Sequence, residues 1–94
     1  MIKEARFACC PDCSNNKLIG LINAEYIKAS STHPKFNSSH EGYAILMEEI
    51  DELWDEIKKN PNRHPEREEN MKKEMIQCAA MCMRFLHDIC GVES

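Results

Sequence analysis

The sequence contains little glycine and proline, no long apolar run and no excess of positive charge. Only three glycines and four prolines interrupt its 94 residues, so long helices can form between them. No apolar run approaches the roughly 20 residues that span a bilayer, and the start, MIKEARFACC, lacks the apolar segment of a secretory signal. The net charge of -4 provides no basic surface for nucleic acid. We therefore expect a cytoplasmic protein that binds neither membrane nor nucleic acid.

Six cysteines are present, but their spacing does not indicate a disulfide framework. Cys78 and Cys82 follow each other at helical spacing inside an apolar stripe, as buried thiols often do. Cys10 and Cys13, next to Cys9, form a CxxC pattern that supplies only two of the four ligands of a structural zinc site. We favour a turn that carries thiols and do not expect zinc at Cys10 and Cys13.

Two segments in the first two thirds of the chain have the apolar periodicity of helices. After an irregular, cysteine-containing segment over residues 1–16, a helix is predicted from about Asn16 to Ser30. A second helix begins after Ser38, which forms a capping box with Glu41, and ends before Pro61. The apolar stripe of this second helix, which we expect in the core, consists of Tyr43, Leu46, Met47, Ile50, Leu53, Trp54 and Ile57.

A third helix is predicted between Pro65, which suits a first turn, and Gly91, which suits a helix end. Its apolar seam consists of Met71, Met75, Cys78, Cys82, Phe85 and Ile89. The short connection to the second helix predicts that the two pack as an antiparallel hairpin. We expect a single all-α domain over residues 1–94, a hairpin plus an N-terminal helix. Because so small a domain buries little surface, we expect oligomerisation to complete the helical bundle.

Acidic side chains occur where the second and third helices are expected to meet. On a helical wheel of about 100° per residue, Glu49 and Glu52 are about 60° apart at one border of the apolar stripe. Glu74 lies within the seam of the third helix, where a carboxylate is costly unless it is paired or binds metal. With Gln77, these residues predict a pocket of oxygen ligands that suits Mg²⁺ or Mn²⁺. The alternative is a solvated acidic helix surface.

The segment around these acids resembles the first motif helix of the MazG-like, all-α nucleotide pyrophosphohydrolase superfamily. Its EExxE motif is matched by Glu48, Glu49 and Glu52. The second motif, ExxD, begins at Glu74, and Gln77 stands where the aspartate belongs. A neutral amide there favours an alternative function, in which the helical scaffold binds a nucleotide or a partner protein without catalysis.

The resemblance covers about residues 36–90, and residues 73–85 are similar to a phage and prophage branch of small MazG-like proteins. It implies a helical bundle assembled as a homodimer or homotetramer. It also implies Mg²⁺-dependent hydrolysis of a nucleoside triphosphate to monophosphate and pyrophosphate. The metal ligands in that scheme are Glu49, Glu52, Glu74 and Gln77. Glu48 is then the candidate carboxylate that orients the attacking water.

Further residues are candidates for contacting the nucleotide. His40 lies at the start of the second helix, and Asn23 lies on the first. Lys73 and Arg84 can meet phosphates or pair with neighbouring acids. Asp88 continues the acidic side of the third helix and is assigned to the same substrate site.

Overall fold

The computed structural model describes residues 11–92, which contain three α-helices. Helix α1 spans Pro11–Thr32, α2 spans Ser39–Ile57 and α3 spans Arg67–Asp88. No strand occurs within residues 11–92, and the all-α prediction is confirmed. None of these three helices combines the length and the apolar character that crossing a membrane requires.

Helix α1 is longer than predicted at both ends. It begins at Pro11 and not near Asn16, so the last part of the segment expected to be irregular is helical. Proline suits a first helical turn because its missing N–H would have no intrahelical partner there. At the other end, the Thr32 hydroxyl donates to the Lys28 carbonyl at 3.0 Å. The helix ends before Pro34, whose ring disfavours helical backbone in the residue before it.

Helix α2 begins where its capping box predicts. The Ser38 hydroxyl accepts a hydrogen bond from the Glu41 N–H at 3.1 Å, and the Ser38 backbone is extended, as is typical of an N-cap. The Glu41 carboxylate in turn accepts from the Asn37 N–H at 2.5 Å. Because the start of α2 is set in this way, so is the position of every acidic residue along it.

Both ends of α3 are held by specific hydrogen bonds. The Arg67 guanidinium donates to the Ile57 carbonyl through Nε at 3.1 Å and through Nη2 at 2.7 Å, which joins the start of α3 to the end of α2. After α3, Gly91 has a φ of +72°, which a glycine adopts at little cost. This turn allows the Val92 N–H to donate to the Leu86 carbonyl at 3.0 Å, six residues back.

Helix α3 packs against both α1 and α2 and so forms the centre of the arrangement. The start of α2 meets the end of α3, because the backbone of Gly42 lies against the ring of Phe85. The cluster of buried residues is small and consists of Ala29, Phe36, Ala80 and Met81. Partly buried side chains that pack against it are Tyr26, Ile45, Leu46, Phe85 and Ile89.

Much of the predicted apolar stripe of α2 is not buried within the chain. We call its exposed part the apolar face of α2, and it consists of Tyr43, Ile50, Trp54 and Ile57. Trp54 is 54% exposed, so the prediction that it lies in the core is wrong for the single chain. On α3, Met75 and Cys82 of the predicted seam are also exposed, whereas Cys78 is buried. The reason is that α3 covers only one side of α2, and no other described helix packs on the rest.

Gly42 allows two phenylalanine rings to pack on the backbone of α2, which leads to a stability prediction. A Cβ at this position would lie 2.6 Å from Cδ2 of Phe85 and 3.0 Å from Cδ2 of Phe36. Gly20→Ala is the matched control, because no atom of the described structure lies within 4 Å of its added Cβ. Both changes gain helix propensity. We therefore expect Gly42→Ala to have a free energy of unfolding about 1–3 kcal/mol below that of Gly20→Ala in urea denaturation. Equal stability of the two variants would contradict the close packing.

Candidate metal centre and adjoining cavity

Three glutamates from two helices come together where α2 and α3 pack. Glu49 and Glu52 are separated by about one turn of α2, and Glu74 of α3 lies opposite them. One carboxylate oxygen from each residue lies within 4.8 Å of those of the other two. We call this group the glutamate triad. The structure thus brings together the three acids that the sequence analysis assigned to one metal site.

Two oxygens of the triad are buried and have no hydrogen-bond partner in the part of the chain that the structure describes. They are Oε1 of Glu49 and Oε1 of Glu74, and neither residue forms an ion pair within residues 11–92. Glu56, one turn further along α2, differs because it accepts from Lys59 Nζ at 3.0 Å and from Asn70 Nδ2 at 3.3 Å. Buried charged oxygens are costly without a partner. A cation held between the three carboxylates would supply the partners that these two oxygens lack among the described residues.

Burial and mutual repulsion act on the same two acids. Burial raises the pKa of Glu49 most, and the neighbouring charges of Glu52 and Glu74 raise it further. The pKa of Glu74 is also raised, first by burial and then by Glu52. Each effect disfavours the ionised carboxylate. A nearby divalent cation has the opposite effect and would favour the ionised form of both groups.

The ligand chemistry of the triad fits a hard divalent cation. Carboxylate oxygens are the ligands that Mg²⁺ and Mn²⁺ prefer. Mg²⁺ binds oxygens at about 2.0–2.1 Å, so its ligands lie at most about 4.2 Å apart. The 4.8 Å limit of the triad is only slightly wider, and glutamate side chains have the rotational freedom to close the difference. Three protein ligands also leave coordination positions for water or phosphate oxygens.

A cavity of about 500 Å³ adjoins the triad, and we call it the main cavity. It is bounded by the end of α1, the loop over residues 33–38 and parts of α2 and α3. Glu48, Glu49 and Gln77 line it, so one member of the triad faces this space. Gln77 and Glu49 thus line the same cavity, and whether Gln77 is a metal ligand, as the resemblance implies, stays a prediction.

Arg84 of α3 lines the main cavity and is 3% exposed, which makes it the one buried charged residue of the described chain. Its Nη2 donates to the Pro34 carbonyl at 2.7 Å, and its guanidinium lies 4.3 Å from the centre of the Phe36 ring. Within residues 11–92 no carboxylate lies within ion-pair distance of it. A buried guanidinium without a counter-charge thus borders the same cavity as the triad.

The other residues assigned to substrate binding lie in different places. Asp88 accepts a hydrogen bond from the Phe36 N–H at 3.1 Å through Oδ2, so it holds the loop before α2. Lys73 lines a second cavity, of about 510 Å³, between α1 and α3. His40 and Asn23 are exposed and line neither of these two cavities.

The cysteine-rich start of the chain is described only in part. Cys13 is exposed in the first turn of α1. Cys9 and Cys10 lie outside the described residues, so the absence of zinc from this segment stays a prediction. Cys78, in contrast, lies close to the triad. Burial and the charge of Glu49 raise the pKa of its thiol, which keeps it protonated and a poor metal ligand.

The part of the cavity that α1 and the following loop supply was not predicted from the sequence. Glu25 lines the cavity, and its charge contributes to the raised pKa of Glu49. Lys28, His33 and Lys35 line it as well. These residues are divided between a helix end and a loop, so no periodic pattern connects them. The one available signal was the group of basic residues around Pro34.

In the absence of metal, removing one negative charge from the triad should stabilise the folded protein. Between the ordinary pKa of a glutamate and the raised pKa of Glu49 or Glu74, the folded state binds more protons than the unfolded state. Stability therefore falls as pH rises through this interval, and the cost is fully present above it. We expect Glu49→Gln and Glu74→Gln to raise the melting temperature in EDTA at pH 7. Mg²⁺ should raise that of the native protein and not that of either variant.

Asp51→Asn is the matched control for this measurement. It removes the same charge from α2 at an exposed residue outside the triad. We expect its melting temperature to respond to Mg²⁺ as that of the native protein does. The metal assignment is wrong if neither Mg²⁺ nor Mn²⁺ shifts the native protein, or if all three variants respond equally.

Comparisons with known proteins add no family to this geometry. No protein-family model, no curated protein and no solved structure matches the chain. The resemblance to the MazG-like superfamily therefore stays a prediction from the two motifs.

Proposed function

We propose that the protein is a Mg²⁺-dependent nucleoside triphosphate pyrophosphohydrolase, which releases a monophosphate and pyrophosphate. The observation that carries this proposal is the glutamate triad, with two buried carboxylate oxygens that have no partner in the described chain. A cavity of about 500 Å³ with basic residues on its wall adjoins it. A divalent cation beside a partly basic cavity is an arrangement suited to polyphosphate chemistry.

In this proposal the residues of the chain have distinct roles. Glu49, Glu52 and Glu74 would hold the cation, and Gln77, about one turn of α3 after Glu74, would offer its amide oxygen as a further ligand. The bound cation supplies neutralisation of phosphate charge and lowers the pKa of water. The packing of α2 against α3 supplies the orientation of the ligands, since each carboxylate is carried by a rigid helix.

Glu48 is the proposed general base. It is exposed, lines the main cavity next to Glu49 and has no hydrogen bond or ion pair within residues 11–92. A carboxylate that is not engaged elsewhere can accept a proton from a water molecule at the cavity. Of the acids that line this space, Glu41 is committed to its capping hydrogen bond with Asn37.

A second candidate function is nucleotide binding without cleavage, and Gln77 is the observation that favours it. This residue lines the same cavity as Glu49. An amide brings no charge to a metal and cannot take a proton from water. A cation at this site then has three charged ligands and not four, which weakens its binding. If this weaker metal binding prevents catalysis, the protein binds a nucleotide without cleaving it.

We further propose that α2 and α3 form an antiparallel hairpin and that further copies of the chain complete the bundle. The Arg67 bonds to Ile57 at one end, and the contact of Gly42 with Phe85 at the other, support the hairpin. The apolar face of α2 supports oligomerisation, because exposed apolar surface in one stripe is typical of an interface.

The assembly is testable through Trp54 at the centre of this face. We expect the native protein to sediment as a dimer or tetramer and Trp54→Glu to sediment as a monomer, because a buried unpaired charge disfavours association. Ile19→Glu is the matched control, since Ile19 is 61% exposed on α1, outside the apolar face of α2. We expect its oligomeric state to equal that of the native protein. A native protein that stays monomeric at high concentration would contradict the proposal.

The enzyme proposal is tested by incubating the purified protein with a panel of ribo- and deoxynucleoside triphosphates and Mg²⁺ or Mn²⁺. We expect monophosphate and pyrophosphate as products. Glu49→Gln should reduce turnover at least about a hundredfold, because a metal supplies several kcal/mol of charge stabilisation. Asp51→Asn, the control, should retain native turnover. If no triphosphate is cleaved while metal and nucleotide still raise the melting temperature, the binding function replaces the enzyme.

A further inference from the structure

Basic side chains lie together on the wall of the main cavity. Lys28 comes from α1, His33 and Lys35 from the loop, and Arg84 from α3. We call these four residues the basic wall. Four acids, Glu25, Glu41, Glu48 and Glu49, line the same cavity, and of these only Glu49 belongs to the glutamate triad.

The spacing along α3 sets the distance between the triad and the basic wall. Glu74 is the triad residue on α3, and Gln77, three residues later, is the first residue of α3 on the cavity wall. Arg84 follows Gln77 by seven residues, which is about 10 Å along a helix that rises about 1.5 Å per residue. An oligophosphate chain and the side chains that reach it can span this distance.

Arg84 provides the strongest sign that the basic wall binds an anion. Its buried guanidinium contacts a carbonyl, the Met81 sulfur at 3.7 Å and the Phe36 ring, but no carboxylate within residues 11–92. A buried charge is costly unless an opposite charge pairs with it. A phosphate oxygen in the cavity would supply that charge through a strong, charge-assisted contact.

The loop holds Lys35 at the cavity by its two neighbours in sequence. The carbonyl of Pro34 accepts from Arg84 at 2.7 Å, and the N–H of Phe36 donates to Asp88 at 3.1 Å. The backbone on each side of Lys35 is therefore anchored to α3. An anchored backbone lowers the entropy cost of bringing its ammonium group to a ligand.

We infer that the basic wall binds the terminal phosphates of an oligophosphate chain whose other end reaches the glutamate triad. This inference rests on the proposed function and specifies the orientation of its substrate. The pyrophosphate that leaves lies against Lys28, Lys35 and Arg84, and the nucleoside lies on the other side of the triad. Recognition then depends on the phosphates more than on the base. Inorganic tripolyphosphate, which has no nucleoside, is accordingly a ligand of the same cavity.

The test is calorimetric titration of the full-length protein with inorganic tripolyphosphate in the presence of Mg²⁺. We expect the double variant Lys28→Ala/Lys35→Ala to lose at least about tenfold in affinity, because it removes two charged donors. Lys17→Ala/Lys72→Ala is the matched control. It removes the same charge at two exposed lysines that do not line the main cavity. We expect its affinity to stay within about twofold of native.

Arg84→Lys gives a second, independent measurement. It keeps the positive charge but loses the planar group that reaches Pro34 and stacks on Phe36. We expect weaker tripolyphosphate binding with a far-ultraviolet circular dichroism spectrum like that of the native protein. Native-like affinity in this variant and in Lys28→Ala/Lys35→Ala would overturn the inference.

The outcomes separate this inference from the proposed function. The inference fails if tripolyphosphate does not bind, or if both double variants lose the same affinity, even where triphosphates are cleaved normally. Binding that depends on Lys28 and Lys35 supports the inference even where no triphosphate is cleaved, and the proposed function then fails alone. Tighter binding of a nucleoside triphosphate than of tripolyphosphate identifies the ligand as a nucleotide tail. The reverse order identifies it as free oligophosphate, and either order supports the basic wall as its site.

Discussion

The packing of Phe36 is the contact on which the arrangement of the three helices depends. Its ring lies under the Arg84 guanidinium and beside the backbone of Gly42, and its N–H donates to Asp88. One residue of the loop thus contacts the start of α2 and the end of α3 together. Because the buried core is small, few other contacts determine how the loop lies against α3. Phe36 also lines the main cavity, which this loop borders.

The charges of α3 are distributed in a way that folding alone does not explain. Glu74 has a buried oxygen without a partner, and Arg84 is buried without a carboxylate in the described chain. The two lie about 15 Å apart along the same helix, too far to neutralise each other. Each therefore lowers the stability of the isolated chain. A cation at the triad, together with a negatively charged ligand that reaches Arg84, would relieve both energetic costs. This relation links the proposed metal site to the basic wall.

The local features of the fold were predictable because short-range physics determines them. The capping box of Ser38 and Glu41 set the start of α2, and the position of Glu74 within an apolar seam indicated a carboxylate with an unusual environment. Helical spacing then sufficed to bring Glu74 toward Glu49 and Glu52. Each of these inferences needed only the period of a helix and the cost of burying charge.

Features that depend on tertiary packing were not predictable in the same way. Periodicity identifies an apolar stripe but does not say which neighbour covers it, so Trp54 was expected in the core and is exposed. The hydrogen bond of Asp88 depends on a loop 52 residues away in sequence, and that of Arg84 on one 50 residues away. The basic wall combines a helix end, a loop and a distant helix. No periodic pattern in the sequence connects these three segments.

The glutamate triad and the main cavity differ in which helices they require. All three triad residues belong to α2 and α3, whereas the cavity also needs the end of α1 and the loop after it. Local opening of α1 away from α3 would therefore open the cavity to solvent and leave the three glutamates of the triad in place. Amide hydrogens of α1 would then exchange with solvent sooner than those of α2 and α3. In that form a cation proposed at the triad would keep its three carboxylate ligands, whereas the proposed phosphate site would be lost.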